Sequence, residues 1–492
     1  MMKKVRIISQ VLFYLLFLFL LINTTYPLNI KGVDFFLTLS PLLGLTTSIA
    51  CSKFLLVEFL PALVIVILTI ILGRVFCGWV CPLGTTLELT DKLFKKRKNK
   101  NKAKISCLKY YLFILVLIIS LFGINITGWL DPLSLITRTY SLVILPYLSF
   151  LIRMMFDSIY YLLPFLRLCS EPIYDFFKEY LIGYEQSIFT GHILIAIIFV
   201  IIVLLSILSR RYWCQNLCPL GAVLSLLSFK TLLKKEVNSS CVECDICSQS
   251  CKMNAVGGMG KPTFNGECIR CFSCQNVCQS NAVTFKFKIS NGANVTSTNL
   301  SRRGFLVTLA GSLTLTPMLK LKVRKDNPTL IRPPGALVEE EFLSRCLRCG
   351  NCMKVCPTNG LQPTLLDAGL DGIWTPKLVS RIGYCEYNCI LCSQVCPSGA
   401  IKKITLEEKK KIVIGVAVID KDVCLPYAKN KECLVCEEMC PTPTKAIKFE
   451  KIKEGKKVIR RPIVLEKECI GCGICEYKCP LEGKSGIVII KK

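Results

Sequence analysis

Long apolar stretches alternate with short polar and basic segments along the first 211 residues. Four stretches have the length and apolarity of membrane-spanning helices, at about 7–28, 54–76, 109–127 and 188–208. A further apolar segment at 140–165 is interrupted by two prolines and two charged residues, so we expect helices lying on the membrane surface there. The pattern therefore predicts an α-helical membrane domain with four spans.

Lysine and arginine cluster at one set of helix ends. They precede the first span at Lys3–Arg6, fill the segment 92–104 between the second and third spans, and follow the fourth span at Arg210–Arg211. Because short cytoplasmic loops carry the excess of basic residues, these segments are predicted to face the cytoplasm. Residues 29–53 and 128–187 are then expected to face outward.

Beyond the fourth apolar stretch the chain becomes polar and rich in cysteine. Of its 31 cysteines, most fall into six short runs. The runs are Cys241, Cys244, Cys247 and Cys251; Cys268, Cys271, Cys274 and Cys278; Cys346, Cys349, Cys352 and Cys356; Cys385, Cys389, Cys392 and Cys396; Cys424, Cys433, Cys436 and Cys440; and Cys469, Cys472, Cys475 and Cys479.

The spacing within these runs is typical of iron–sulfur sites. Four runs follow C-x2-C-x2-C-x3-C, in which three thiolates bind one [4Fe–4S] cluster and the fourth reaches the second cluster of a pair. Structural zinc sites instead separate two C-x2-C hooks by about a dozen residues or more. We therefore predict about six [4Fe–4S] clusters in α+β ferredoxin-like domains. The last four runs are evenly separated, which leaves open whether neighbours pair or the first pairs with the fourth and the second with the third.

A duplicated motif ends two of the predicted spans. Arg74–Gly84 recurs as Arg211–Gly221, both following R-x-[FW]-C-x3-C-P-L-G. The four cysteines could converge at the cytoplasmic interface and bind an additional metal or cluster, act as redox-active thiols, or serve only packing. They are Cys77, Cys81, Cys214 and Cys218.

The chain contains a single histidine, His192, at the outer start of the fourth span. A haem held by two histidines of the chain is thereby excluded, and no C-x-x-C-H attachment motif is present. His192 could accept a proton from a quinol, and Glu171 and Asp131 belong to the same predicted outer region. These three are weak candidates for a quinol site, and a histidine that merely touches lipid headgroups is the simpler reading.

Between the second and third cysteine runs a polar linker at 290–299 leads into Arg302 and Arg303 and an apolar stretch to Leu319. Paired arginines before a modest apolar segment are typical of a twin-arginine export signal. We therefore expect a short fifth span here, with the C-terminal domain on the outer face of the cytoplasmic membrane. The alternative is a basic linker that leaves all clusters in the cytoplasm.

The formal net charge of +28 does not indicate nucleic-acid binding, because no recognition motif accompanies it. No phosphate-binding glycine-rich loop is found in a strand-to-helix context. The expected domains are a membrane domain at 1–235, a two-cluster ferredoxin at 236–290, a linker with the twin-arginine segment at 291–335, and a four-cluster domain at 336–492.

With these motifs in this order, the chain resembles a fusion of the NapH-type and NapG-type iron–sulfur subunits of periplasmic nitrate reductase systems, and the related MauN/MauM pair. Residues 1–290 resemble the NapH type and residues 300–492 the NapG type. Lys252 and Gln279 depart from the proline that usually follows the fourth ligand. The resemblance implies a quinol dehydrogenase that takes electrons from the quinol pool, with quinone as its substrate, and delivers them to a periplasmic cytochrome c or molybdenum reductase.

Two other functions stay open. The duplicated cysteines could serve a maturation or regulatory factor that reduces or delivers a metal to a partner enzyme. The chain could also be a cytoplasmic ferredoxin:quinone oxidoreductase if the paired arginines are not an export signal.

Overall fold

The computed structural model describes residues 2–55, 57–93, 107–162, 167–178, 186–229, 231–256, 264–288, 300–320, 327–454 and 457–491. Most of the basic segment predicted between the second and third spans, and nearly all of the polar linker, lie outside these residues. The chain divides into two compact units. The first comprises Met1–Leu21, Val33–Thr139 and Ile193–Met318; the second comprises Ile22–Gly32, Tyr140–His192 and Leu319–Lys492.

Helices dominate the apolar part of the described chain. They are α1 (Met2–Ile22), α2 (Phe35–Thr38), α3 (Pro41–Ala50), α4 (Leu60–Leu72), α5 (Val75–Trp79), α6 (Pro82–Leu93), α7 (Leu108–Leu121), α8 (Thr127–Leu130), α9 (Pro132–Thr139), α10 (Leu145–Leu162), α11 (Arg167–Phe177), α12 (His192–Leu204), α13 (Tyr212–Asn216) and α14 (Pro219–Leu227). A π-helical segment at Tyr140–Ile144 joins α9 to α10, and a 3₁₀ turn at Leu205–Ile207 follows α12.

The cysteine-rich part carries mostly short helices. They are α15 (Ile246–Gln249), α16 (Ser273–Asn276), α17 (Arg302–Lys320), α18 (Glu339–Arg345), α19 (Asn351–Lys354), α20 (Leu391–Gln394), α21 (Leu406–Lys411), α22 (Leu425–Ala428), α23 (Val435–Glu438) and α24 (Ile474–Tyr477). Further 3₁₀ turns lie at Asn265–Glu267 and Leu370–Gly372.

Two described helical segments are long and apolar enough to cross a membrane: Met2–Ile22 and the continuous run Pro132–Tyr161. Helices α4, α7 and α12, at the other predicted spans, have 13, 14 and 13 residues. At 1.5 Å per residue each reaches only about 20 Å, against about 30 Å of hydrocarbon. Four spans therefore remain a prediction.

The segment 140–165 differs from the broken surface helices that the sequence suggested. Pro146 does not end the helix, because it lies in the first turn of α10, directly after the π-helical segment. Proline has no backbone N–H to donate. At this position the pattern of helical hydrogen bonds already changes from π to α, so the missing donor falls at that change. The result is a single helical run of 30 residues.

In the first unit, α3, α4, α7 and α14 pack against one another. Buried polar side chains in this bundle satisfy each other: Asn125 Nδ2 donates to Thr47 Oγ1 at 3.1 Å, and Thr127 Oγ1 to Thr46 Oγ1 at 2.8 Å. Paired in this way, the groups avoid the penalty of an unmade buried hydrogen bond. The bundle thus holds the duplicated motifs in fixed positions.

The first two cysteine runs form one small module of the first unit. Strand β1 (Leu233–Val237) pairs antiparallel with β2 (Val283–Phe287), and both runs lie between them in the chain. The module packs on the first duplicated motif, where Trp79 Nε1 donates to the carbonyl oxygen of Arg270 at 3.1 Å. Next to it, the backbone of Gly78 lies against the Ile269 carbonyl, and a Cβ added at Gly78 would be 2.4 Å from that oxygen.

The second unit contains two further modules built on the same plan. Strand β5 (Val416–Ile419) pairs with β8 (Ile487–Ile490) and encloses the last two runs, with the hairpin β6 (Ile447–Glu454) and β7 (Lys457–Val464) between them. For the third and fourth runs, a single bridge between Ala336 and Ile401 closes the module around the hairpin β3 (Leu361–Pro363) and β4 (Pro376–Leu378). The β5–β8 strand pair and the Ala336–Ile401 bridge therefore each enclose two consecutive runs.

The second unit also includes two segments from the apolar part of the chain. Asn359 Nδ2 donates to the Ile188 carbonyl at 2.8 Å, and the Thr190 N–H donates to Gln362 Oε1 at 2.9 Å. Lys354 Nζ donates to the Thr24 carbonyl at 3.0 Å. The module of the third and fourth runs is thus bonded to 22–32 and 186–192.

The contact at Gly78 generates a prediction about the first unit. We expect Gly78→Ala to weaken the packing of the two-cluster module by about 1–3 kcal/mol, since the new methyl group would collide with backbone that must shift. The readout is the rate of limited proteolysis within residues 236–288. Gly311→Ala is the matched control, because nothing lies within 4 Å of a Cβ at that position. Equal proteolysis rates in the two variants would contradict the prediction.

Candidate iron–sulfur centres

Two spaces in the module of the third and fourth runs are lined by four cysteines each. One is formed by Cys346, Cys349 and Cys352 with Cys396 from the following run. The other is formed by Cys385, Cys389 and Cys392 with Cys356 from the preceding run. The fourth cysteine of each run thus lies in the space of its neighbour.

The last two runs repeat this exchange. Cys424, Cys433 and Cys436 line a space together with Cys479. Cys440 in turn lies close enough to Cys472 and Cys475 to interact with their charges. Neighbouring runs therefore pair, and the nested arrangement that the sequence left open is not what the chain adopts.

The two-cluster module of the first unit shows the same relation. Cys251, the fourth cysteine of its run, interacts electrostatically with Cys268 and Cys271 of the next run, and Cys274 joins the same group. Each of these spaces offers four thiols, which is the ligand number of a [4Fe–4S] cluster.

The local chemistry of these cysteines fits such a cluster. Backbone N–H groups donate to sulfur at 3.3–3.4 Å, from Ala255 to Cys251, Ile401 to Cys396 and Ala417 to Cys469. Hydrogen bonds to cluster sulfurs are one means of setting the reduction potential. Burial raises the pKa of Cys385 and of Cys436 to about 12, so binding of iron must release their protons.

A backbone contact joins the two modules of the second unit at their cysteines. The Cys385 N–H donates to the Cys472 carbonyl at 2.8 Å, and the Ile414 N–H donates to the Ile470 carbonyl at 3.1 Å. The two inner spaces, those of Cys385 and Cys472, are therefore neighbours. Together with the pairing inside each module, this contact arranges four cysteine-lined spaces in series.

The duplicated motifs bring Cys77, Cys81, Cys214 and Cys218 together in the first unit. Each of the four interacts electrostatically with the other three, and three of them are buried. Burial, followed by the neighbouring thiols, raises the pKa of Cys81 and of Cys218 well above the ordinary range. The four thiols therefore lie near one another, and their use as ligands of a metal or cluster stays a prediction.

Each motif contributes its arginine to the other motif. Arg74 Nη2 would lie 2.8 Å from a Cβ added at Gly221 of the second copy. Reciprocally, Arg211 Nη1 would lie 3.5 Å from a Cβ at Gly84 of the first copy, and it donates to the Cys77 carbonyl at 3.0 Å. Because Gly221 lacks a side chain, the guanidinium group of Arg74 fits beside the four thiols, while that of Arg211 lies at ordinary contact distance from Gly84.

Two buried carboxylates balance these arginines. Glu88 pairs with Arg211 at 2.7 Å, and Glu267, the residue before Cys268, pairs with Arg74 at 2.8 Å. Burial alone would raise the pKa of Glu88, but the hydrogen bond from Arg6 and the charge of Arg211 outweigh it and hold that pKa well below its usual range.

Further partners reach each carboxylate from elsewhere in the first unit. Arg6 and Lys252 pair with Glu88, while Lys109, Tyr110 and Ser225 bind Glu267. Ser225 occupies in the second motif the position that Glu88 has in the first. The sequence analysis did not identify either carboxylate. The alignment of Glu88 with Ser225 in the two copies of the motif was the signal that could have drawn attention to them.

The arginines also carry donors that suit an anionic group. Nε of Arg74 and Nε of Arg211 are buried and have no hydrogen-bond partner among the described residues. A [4Fe–4S] centre on four thiolates would supply negative charge and sulfur acceptors there. In the described part of the chain no three Cys, His, Asp or Glu side chains converge tightly enough to hold a single metal ion.

The three residues that the sequence offered as candidates for a quinol site lie in different local environments. Asp131, in the first unit, is buried and accepts from Ser40 Oγ at 2.9 Å and from the N–H groups of Leu133 and Ser134, so it caps α9. Glu171 is exposed on α11. His192 in the second unit bonds the Phe189 carbonyl through Nδ1, and its ring lies 5.5 Å from that of Tyr147.

Comparison with known proteins supports this chemistry. A family model described as a 4Fe-4S binding domain matches residues 54–101 and again 191–237, once for each duplicated motif. A second family model with the same description matches residues 342–362, which include the third run. No solved structure matches the chain.

Several curated relatives share a substantial part of the chain. The methylamine utilization ferredoxin-type protein MauM of Methylophilus methylotrophus is 37% identical over 179 residues, which cover 35% of this chain and 77% of that protein. The ferredoxin-type protein NapG of Escherichia coli K12 is 36% identical over 192 residues, covering 37% and 82%. The uncharacterized protein MJ0750 of Methanocaldococcus jannaschii is 30% identical over 269 residues, covering 51% and 84%.

These matches and the cysteine-lined spaces define an iron–sulfur electron-transfer protein with [4Fe–4S] binding domains. Within that class, the chain belongs to the family of ferredoxin-type proteins that includes MauM and NapG.

Pairing of neighbouring runs can be tested by iron content. Because Cys436 and Cys479 line the same space, Cys436→Ala combined with Cys479→Ala should lose no more iron than either single variant. Cys349→Ala combined with Cys479→Ala affects two spaces and should lose twice as much. The measurement is iron per purified chain, and additive losses in the first pair would contradict neighbour pairing.

The four converged thiols of the duplicated motifs generate a second test. We expect the double variant Cys81→Ala and Cys218→Ala to lose one cluster's iron and sulfide. The control is Cys51→Ala with Cys107→Ala, two cysteines outside every run, which should keep the full iron content. If both double variants retain the iron of the unmodified protein, the duplicated cysteines do not hold a cluster.

Proposed function

We propose that the protein is a membrane-bound quinol dehydrogenase that passes electrons through about six [4Fe–4S] clusters, held by the cysteines of the six runs, to an acceptor protein outside the cytoplasm. The observation that carries the proposal is the composition of the second unit. It joins the four-run region to residues 22–32 and 140–192 in one compact body. Residues 140–187 of the second unit, and residues 29–32, belong to the regions that the distribution of basic residues predicts to face outward.

The surface of the apolar helices supports a membrane location. Leu63, Val64 and Ile67 on α4 are each about half exposed, as are Ile197, Val200 and Ile201 on α12. Contiguous apolar faces of this kind are unusual on a soluble protein, whereas lipid covers them without cost. The short helices would then cross together with their flanking turns.

The paired arginines support export of the second unit. Helix α17 begins at Arg302, and Ser301 Oγ accepts from the Gly304 N–H at 3.0 Å in its first turn. A signal that exports folded proteins suits a domain whose clusters are assembled before it crosses the membrane. In this arrangement the two-cluster module stays inside and the four-cluster modules stand outside.

The chain would then combine a NapH-type part with a NapG-type part. The relatives named NapG and MauM support the second, and the family match at each duplicated motif supports an iron–sulfur role for the first. Quinol oxidation releases two electrons and two protons, and a series of one-electron clusters accepts the electrons singly. A periplasmic cytochrome c or a molybdenum reductase would be the next acceptor.

One observation favours a second candidate. Four mutually close thiols flanked by two buried arginines could also reduce or transfer a metal for a partner enzyme. The protein would then act as a maturation factor, and quinol would not reduce its clusters.

The two functions give opposite results with a reduced quinol. Purified protein with oxidised clusters, mixed anaerobically with menadiol, should show cluster reduction by EPR within seconds to minutes. Dithionite serves as the control that all clusters are reducible. Clusters that respond to dithionite and not to menadiol would contradict the quinol dehydrogenase and favour the maturation factor.

A further inference from the structure

One large cavity of the second unit contains no cysteine. It has a volume of about 570 Å³ and is open on one side. Phe150, Met154 and Tyr161 give it apolar walls, and Arg153, Asp157 and Gln186 add polar groups. A mostly apolar hollow of this size with a few convergent polar groups is typical of a small-molecule site.

The surroundings of the cavity suit a ligand that arrives from a membrane. Five of its six named wall residues lie on α10, part of the helical run that is apolar enough to enter the bilayer. Phe150 and Met154 are about half exposed, and Tyr161 is 79% exposed. Charged side chains in such a helix are costly, so Arg153 and Asp157 point to a function.

Gln186 supplies a further polar group at the wall. Its Nε2 donates to the Pro146 carbonyl at 2.9 Å and to Ser149 Oγ at 3.4 Å. Its Oε1 is buried and has no hydrogen-bond partner within the described ranges. That oxygen is an acceptor suited to a hydroxyl group.

A short bonded path leads from this wall to a cysteine-lined space. Two residues after Gln186, the Ile188 carbonyl accepts from Asn359 Nδ2 at 2.8 Å and from Gln362 Nε2 at 3.1 Å. The Asn359 N–H in turn donates to the Cys356 carbonyl at 3.2 Å. Cys356 lines the space of Cys385, which adjoins the space of Cys472.

We propose that this cavity binds the hydroquinone headgroup of a membrane quinol and that the cluster held by Cys356 and the run from Cys385 is its first electron acceptor. The inference rests on the proposed function and gives it a site. Two O–H bonds of the quinol break, and its two C–O bonds become carbonyls. The two electrons pass one at a time to oxidised clusters, while the two protons leave through the open side, the first by way of the Asp157 carboxylate.

The test uses two adjacent methionines of α10 with equal exposure. Met154 is 50% exposed and lines the cavity, whereas Met155 is 51% exposed and lies outside its wall. We expect Met154→Trp to fill the cavity and slow menadiol-driven cluster reduction at least about tenfold, with reduction by dithionite unchanged. Met155→Trp should stay within about twofold of the unmodified protein.

The possible outcomes distinguish a failure of the proposed site from a failure of the proposed function. If menadiol does not reduce the clusters of the unmodified protein, the proposed function fails. If it does, and Met154→Trp behaves like Met155→Trp, the function stands and this cavity is not its site. Should Met154→Trp fail to assemble clusters, Phe150→Ala removes a wall without filling the space and should raise the KM for menadiol about tenfold. An unchanged KM would overturn the proposal.

Discussion

The exchange of the fourth cysteine between neighbouring runs is the constraint on which the cysteine-rich part of the chain depends. Three cysteines of a run line one space, and the fourth lies in the space of its partner, as Cys356 and Cys396 do. Two runs must therefore fold as one body, and the strands at their outer ends must meet. The pairing of β5 with β8 and the bridge from Ala336 to Ile401 are the geometric result.

In the first unit, buried ion pairs provide the corresponding constraint. Glu88 and Glu267 lie among guanidinium and ammonium groups contributed by distant parts of the chain. A buried ion pair is strongly destabilised when only one partner is lost, because the other charge stays desolvated. Glu267 directly precedes Cys268 and also binds the arginine of the first motif. The two-cluster module is thereby joined to the duplicated motifs by charge as well as by packing.

Features that depend on short-range spacing could be predicted from the sequence. The runs and the duplication from Arg74 to Gly84 follow from short-range patterns. Pairing between runs could not be predicted, since equal gaps are compatible with more than one closure. Helix lengths also escaped prediction. Pro61 and the positive φ of Gly73 confine α4, whereas Pro146 interrupts nothing because a π-helical turn precedes it. The role of Glu88 was missed because its partners are up to 164 residues away along the chain.

The exchange of arginines between the two motifs has a consequence for how the chain could arise and diverge. Arg74 occupies room left by Gly221 of the second copy, and Arg211 donates to the Cys77 carbonyl of the first, so neither copy is complete by itself. A single ancestral hairpin could build this site only by associating with an identical partner about a two-fold axis through the thiols. Fusion of the two copies in one chain would have made that partnership permanent. A side chain at Gly221 would require the Arg74 guanidinium to move, whereas a Cβ at Gly84 would lie at ordinary contact distance from Arg211. The two copies, alike in motif, are therefore constrained unequally.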